Sequence, residues 1–122
     1  MSKEPIVYSV VIPVYNSAPV LTLLHRRVVA VMESLRASFE VILVDDGSTD
    51  TSWSVLSGIA RNDPRVVAIQ LGQNIGQGQA TLAGLRHTAG EILITLDDDL
   101  QHVPEEIPKL LAHLRGATGG AT

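Results

Sequence analysis

Four short apolar runs punctuate the chain, at residues 7 to 12 (VYSVVI), 39 to 44 (FEVILV), 65 to 71 (RVVAIQL) and 91 to 96 (EILITL). Each is rich in Val, Ile and Leu and reads as a strand. Most are apolar on consecutive positions, the pattern of a sheet covered on both faces and hence of parallel strands. The intervening stretches change to helical spacing. Residues 19 to 36 set Leu21, Leu24, Val28, Val31 and Leu35 at steps of three and four, with Ser17 as a candidate cap and Pro19 in the first turn. Residues 51 to 61 follow Asp50, a second candidate cap, and turn Val55, Leu56 and Ile59 inward. Residues 77 to 88 predict a third helix stopping near Gly90. A last one starts about Pro104, with Glu105 and Glu106 at its positive end and Ile107, Leu110, Leu111 and Leu114 as its stripe. Strand and helix alternate four times, which with right-handed crossovers builds a three-layer α/β/α, mostly parallel open sheet.

At 122 residues the chain has room for one domain, and 45% hydrophobic residues suffice for a core. We expect that domain over residues 1 to 115, with the GATGGAT stretch from 116 to 122 as a flexible tail. The formal charge is -4 and the basic residues are scattered, so nucleic acid is not an expected partner. Without cysteine there is no disulfide, thiolate metal site or cysteine nucleophile. Residues 5 to 24 and 66 to 85 lack charged side chains, but prolines, amides and glycines spoil both as membrane spans. The amino terminus lacks the layout of a signal peptide, so the chain reads as soluble and cytoplasmic.

In open α/β sheets, ligands bind beyond the carboxyl ends of the strands. There the sequence places Pro13-Val14-Tyr15-Asn16, then Asp45-Asp46-Gly47-Ser48-Thr49-Asp50, then Gly72-Gln73-Asn74-Ile75-Gly76-Gln77-Gly78, then Asp97-Asp98-Asp99-Leu100-Gln101-His102. Three adjacent carboxylates after a buried strand repel one another unless a cation or proton joins them. In extended geometry Asp97 and Asp99 point to one side and Asp98 to the other, a pair able to hold Mg²⁺ or Mn²⁺ while a diphosphate completes the oxygen shell. The alternative is a solvated acidic turn capping the next helix. Asp45 and Asp46 close the second strand, where an acid can accept from a ribose or base, but taken alone the segment favours an ordinary turn; the Tyr15 ring suits the flank of a base. Asn74 is placed to bond the backbone or a ligand. The glycine pattern matches neither a dinucleotide fingerprint nor a P-loop, the acids do not have EF-hand spacing, and the four histidines form no ligand set. A phospho-accepting signalling domain would need acids after the first strand and a late lysine, and has neither.

The blocks VVIPVYN, VILVDDGSTD, NIGQGQATLAG and LITLDDDLQHVPEEIPKL together resemble those of the glycosyltransferase family 2 enzymes of the GT-A fold. The likeness is greatest to the polyprenyl-phosphate transferases, such as dolichyl-phosphate mannose synthases and undecaprenyl-phosphate glucose or formamido-arabinose transferases. The resemblance implies a Rossmann-like nucleotide-diphospho-sugar transferase fold of which this chain is the first half. It implies that Pro13 and Tyr15 frame the nucleotide, that Val44 and Asp46 contact its base, and that Asp98 and Gln101 lie at the substrate. Asp97 and Asp99 would be the catalytic Asp-x-Asp pair on Mg²⁺ or Mn²⁺. The implied partners are a UDP- or GDP-linked sugar and a polyprenyl-phosphate acceptor, met by the full-length protein at the cytoplasmic face of a membrane. Two positions depart from the pattern: Ser17, where these relatives usually carry Glu, and Asp98, where a small residue is commoner. The absent acceptor half leaves a non-catalytic nucleotide-binding or assembly module as the alternative, and apolar surface left bare gives self-association into a homo-oligomer a physical motive.

Overall fold

The computed structural model describes residues 5–99, 104–109 and 111. Its elements alternate as expected: β1 (Tyr8–Val14), α1 (Ala18–Ser34), β2 (Phe39–Asp45), α2 (Ser52–Asn62), β3 (Val66–Gln70), α3 (Gln77–Leu85) and β4 (Ile92–Thr95). A 3-10 turn, Pro104–Glu106, leads into helical residues 107 to 109. The stripe positions Leu110 and Leu114 of the expected last helix, and the tail from 116 to 122, lie outside the described residues. All strand pairs are parallel, in the order β3-β2-β1-β4.

Because β1 and β2 run through the middle, every residue of both is buried. Their side chains alternate between two cores. On one face Tyr8, Val10, Ile12 and Val14 of β1 and Phe39, Val41 and Leu43 of β2 meet Leu21, Leu24, Val28 and Met32 of α1 and Leu56 of α2. On the other, Val11, Ile42 and Val44 meet Ala80 of α3. Consecutive apolar residues in these strands therefore reflect helices on both sides. The outer strands differ. β3 is only half-buried and β4 is mostly exposed, so the expectation of two covered faces does not extend to the edges.

The helix ends show where local chemistry rules. Ser17 stands at the N-cap of α1 and Pro19 in its first turn, yet Ser17 makes no side-chain capping bond. Its hydroxyl is drawn elsewhere, as described below. After α1, Arg36 adopts φ 55, the left-handed conformation that ends many helices. Met32, not Leu35, completes the buried stripe of α1; Leu35 lies at the C-cap and is half-buried. α3 ends at Leu85, earlier than the sequence predicts. Its Gly84 has a packing reason: a Cβ there would sit 2.5 Å from Val11 Cγ1 and 2.8 Å from Val44 Cγ2. A glycine lets the helix lie directly on β1 and β2.

Pro13 lies inside β1, a strand paired on both sides. Val14 accepts the Asp46 amide on the β2 side, whereas Val11 accepts the Leu96 amide on the β4 side. Residues of odd number thus turn their backbone toward β4. Pairing with β4 stops at Val11↔Thr95, so the nitrogen of Pro13 faces a position where no ladder bond is required.

Candidate functional site

The carboxyl ends of the four strands share one rim, and the loops there are bonded to each other more than to themselves. Asn16 takes φ 50, a conformation that asparagine tolerates better than most residues. Its Oδ1 accepts the amides of Thr49 (2.8 Å) and Asp50 (3.2 Å), and its own amide donates to Ser48 Oγ (3.0 Å). The Ser17 amide donates to Ser52 Oγ, and Asp50 accepts the amides of Ser52 and Ala18, one from each of α2 and α1. Hydrogen bonding from Ser52 holds the Asp50 carboxyl below its ordinary range. The N-cap of α2 is Thr51, which makes no side-chain capping bond, rather than Asp50; Asp50 stands one residue before it and accepts the first amide of each helix.

The loop before α3 is held by Asp46, which is 2% exposed. Its carboxylate accepts the amides of Ile75 (2.8 Å) and Gly76 (3.0 Å) and the side-chain amide of Asn74 (3.1 Å), which also reaches the Asp46 carbonyl. Gly47 follows at φ +69, and a Cβ there would collide with the backbone of Gln73 and Asn74. The β2 and β3 loops thus press together as closely as backbone allows. Asp46 does the work of its turn reading: it fixes a wall of the site. Asn74 bonds backbone, one of the two roles expected of it.

Between these loops lies a cleft of about 340 Å³ lined by Pro13, Tyr15, Asp46, Asn74, Gly76, Gln77 and Asp98. Tyr15, one of these residues, is 46% exposed. Asp97 accepts a hydrogen bond from the Gln77 side chain, at the first turn of α3. Asp98 turns the other way: its Oδ2 accepts the Tyr15 amide (2.9 Å) and the Ser17 hydroxyl (2.5 Å). The two positions that depart from the family pattern are thus in direct contact. Asp97 and Asp98 diverge as an extended strand would have them, but β4 has ended at Thr95 and Asp98-Asp99 form a turn. Extended alternation therefore does not describe where Asp99 points.

Val44 is the clear departure from expectation. It is 0% exposed and packed beneath α3, so its side chain does not line the cleft. Which face a residue of a doubly covered strand occupies is hidden from sequence, since both faces are apolar. Gln101 and His102 lie outside the described residues. The residues that sequence reasoning passed over are Asn16, Ser48 and Ser52, whose signal was a cluster of small polar residues at two successive strand ends.

As to a divalent cation, among the described residues no three His, Cys, Asp or Glu side chains gather as a closed cage. An open set of one or two carboxylates at a cleft suits Mg²⁺ or Mn²⁺ shared with a phosphate ligand. The chemistry of Asp97 and Asp99 fits that. A larger hollow of about 650 Å³ lies at the start of β3, lined by residues including His25, Asp63 and Arg65. Its charges satisfy one another: Asp63 accepts from His25 (2.9 Å) and Arg65 (3.0 Å), and Arg65 also donates to Glu33.

The family model described as glycosyl transferase family 2 matches residues 9–120. The chain belongs to that family. Over 104 residues it is 49% identical to an undecaprenyl-phosphate 4-deoxy-4-formamido-L-arabinose transferase of Sodalis glossinidius, covering 84% of this chain and 32% of the relative. A transferase of the same name from Pseudomonas fluorescens is 48% identical over 114 residues, covering 92% and 34%. The chain spans about a third of the length of these curated relatives. Among solved structures, a mannosyltransferase from Pyrobaculum calidifontis in complex with GDP-Man and Mn²⁺ superposes with a TM-score of 0.65 at 26% identity, over 75% of this chain and 27% of that one. S. aureus TarS 1-349 in complex with UDP-GlcNAc gives 0.63 at 26%, over 93% and 32%. The family 2 chain therefore has the parallel α/β architecture of the GT-A glycosyltransferases. Among its described residues no helix is long and apolar enough to cross a membrane.

Proposed function

We propose that this chain is the nucleotide-sugar-binding part of a glycosyltransferase that passes a sugar, with inversion, from a UDP- or GDP-linked donor to a polyprenyl phosphate. The carrying observation is the convergence of Tyr15, Asp46, Gln77 and Asp98 on one cleft at the strand ends, with Asp97 bonded to Gln77 beside it. Pro13 and Tyr15 would frame the nucleotide, while Asp46 acts through the loop it holds. Asp97 and Asp99 would hold the cation, with Gln101 beside them. When bound, Mg²⁺ or Mn²⁺ supplies neutralisation of the charge that builds on the departing nucleoside diphosphate. A lipid phosphate acceptor is already anionic and needs little help from a general base. Support for the acceptor class comes from the names of the curated relatives, and the full-length protein would meet that lipid at the cytoplasmic face of a membrane. The span of about a third of those relatives favours one other reading, a binding module without turnover by itself.

Titration calorimetry with UDP and GDP tests the proposal. Binding is expected to strengthen with Mn²⁺ and to lose that gain in the Asp97→Asn, Asp99→Asn double variant, by about tenfold or more. Binding equally tight in chelator, and unchanged in the double variant, would overturn the cation's place. Sugar-nucleotide turnover by this chain alone would remove the module reading.

A further inference from the structure

We propose that Asp98 is a positioning residue: it latches the Tyr15 loop to the end of β4 and so sets the width of the cleft between Tyr15 and Gln77. The argument rests on where one oxygen is spent. Asp98 Oδ2 accepts from the Tyr15 amide at 2.9 Å and from Ser17 Oγ at 2.5 Å, two donors from a loop more than eighty residues earlier in the chain. The Ser17 hydroxyl also lies 3.0 Å from the Tyr15 carbonyl, so the carboxylate and the loop share one proton. Neither donor is needed to complete β1, whose ladder with β4 ends at Val11↔Thr95. β4 itself is fixed as far as Leu96, which is buried in the core and donates its amide to Val11, so the turn that follows is the first part of this segment that needs a tie of its own. Asp97, next in sequence, is bonded to Gln77 on the opposite wall. The acidic turn thus spans the cleft, with Asp98 tied to the Tyr15 side and Asp97 to the α3 side.

A latch needs acceptor oxygens but not a negative charge, and this separates it from a ligand-binding or cation-binding carboxylate. Asparagine retains an oxygen that accepts from Tyr15 and Ser17; alanine retains none. Two readouts apply, one without any ligand. In the free chain, exchange of the Tyr15 amide measured by NMR is expected to be about tenfold faster in Asp98→Ala than in the parent and near the parent rate in Asp98→Asn. For UDP or GDP with Mn²⁺, which rests on the nucleotide-binding reading above, affinity is expected to fall about tenfold in Asp98→Ala and less than about threefold in Asp98→Asn. An alanine variant with Tyr15 still protected would overturn the latch. An asparagine variant that protects Tyr15 yet binds as weakly as alanine would overturn it too, by showing a direct ionic role. Failure of the parent chain to bind either nucleotide would count against the nucleotide reading alone, since the exchange comparison still decides the latch. Should Asp98→Ala not fold, Ser17→Ala takes its place with Ser17→Thr as the rescue. Faster Tyr15 exchange in the first and its recovery in the second support the latch, and no change in the first overturns it.

Discussion

β2 and β4 flank the same strand, run in the same direction and are built from the same residue types, yet one is wholly buried and the other mostly bare. Ile42 in β2 is 0% exposed, whereas Leu93 in β4 is 48% exposed. The difference lies in what surrounds each strand, its pairing included. β2 has α3 on one face, α1 and α2 toward the other, and strands on both edges; among the described residues β4 pairs on one edge and has less cover. Apolarity in a sequence reports the cover a strand is built for, and about two thirds of the length of the curated relatives lies beyond what this chain spans.

Four measurements test that contrast. The largest effect is expected from Ile42→Ala, a cavity between β2 and α3 that should cost about 2–5 kcal/mol in a denaturant titration. The entrance to the opposite edge strand is sharpened by pH. Asp63, buried where α2 turns into β3, is pushed upward by burial, but hydrogen bonds from Arg65 and His25 outweigh this and take its pKa from 3.8 to about 2. Its contribution is therefore present above about pH 4 and lost as acid approaches pH 2. Stability should fall by roughly 2 kcal/mol over that window, a loss missing from Asp63→Asn. Next comes Gly84→Ala, where the clash with Val11 and Val44 outweighs the better helix propensity, for a net loss of about 1–2 kcal/mol. The smallest effect is expected from Leu93→Ala, about 0.5 kcal/mol by the same titration. A Leu93 effect as large as that of Ile42 would break the contrast.

What sequence revealed and what it hid follow the same division. The strands were legible because Val, Ile and Leu crowd four short runs, and α1 because its stripe repeats every three to four residues. The loops of the cleft were legible as a group, since strand ends in a parallel sheet must fall on one side. Roles within the group were not. Val44 and Asp46 are two residues apart at the end of β2, but one lies sealed beneath α3 and the other, just past the strand, is consumed by three donors from the Asn74–Gly76 segment. Ser17 has the local look of a helix cap, and the carboxylate that diverts it stands at position 98. Sequence spacing speaks to neighbours along the chain; competition for a single hydroxyl is decided by whatever folding brings across.

The way Asp46 grips the segment ahead of α3 has a consequence for affinity. Three donors converge on a carboxylate that water barely reaches, so this stretch of backbone has surrendered its freedom during folding. A guest arriving at the cleft finds that side already rigid and forfeits no entropy in stiffening it.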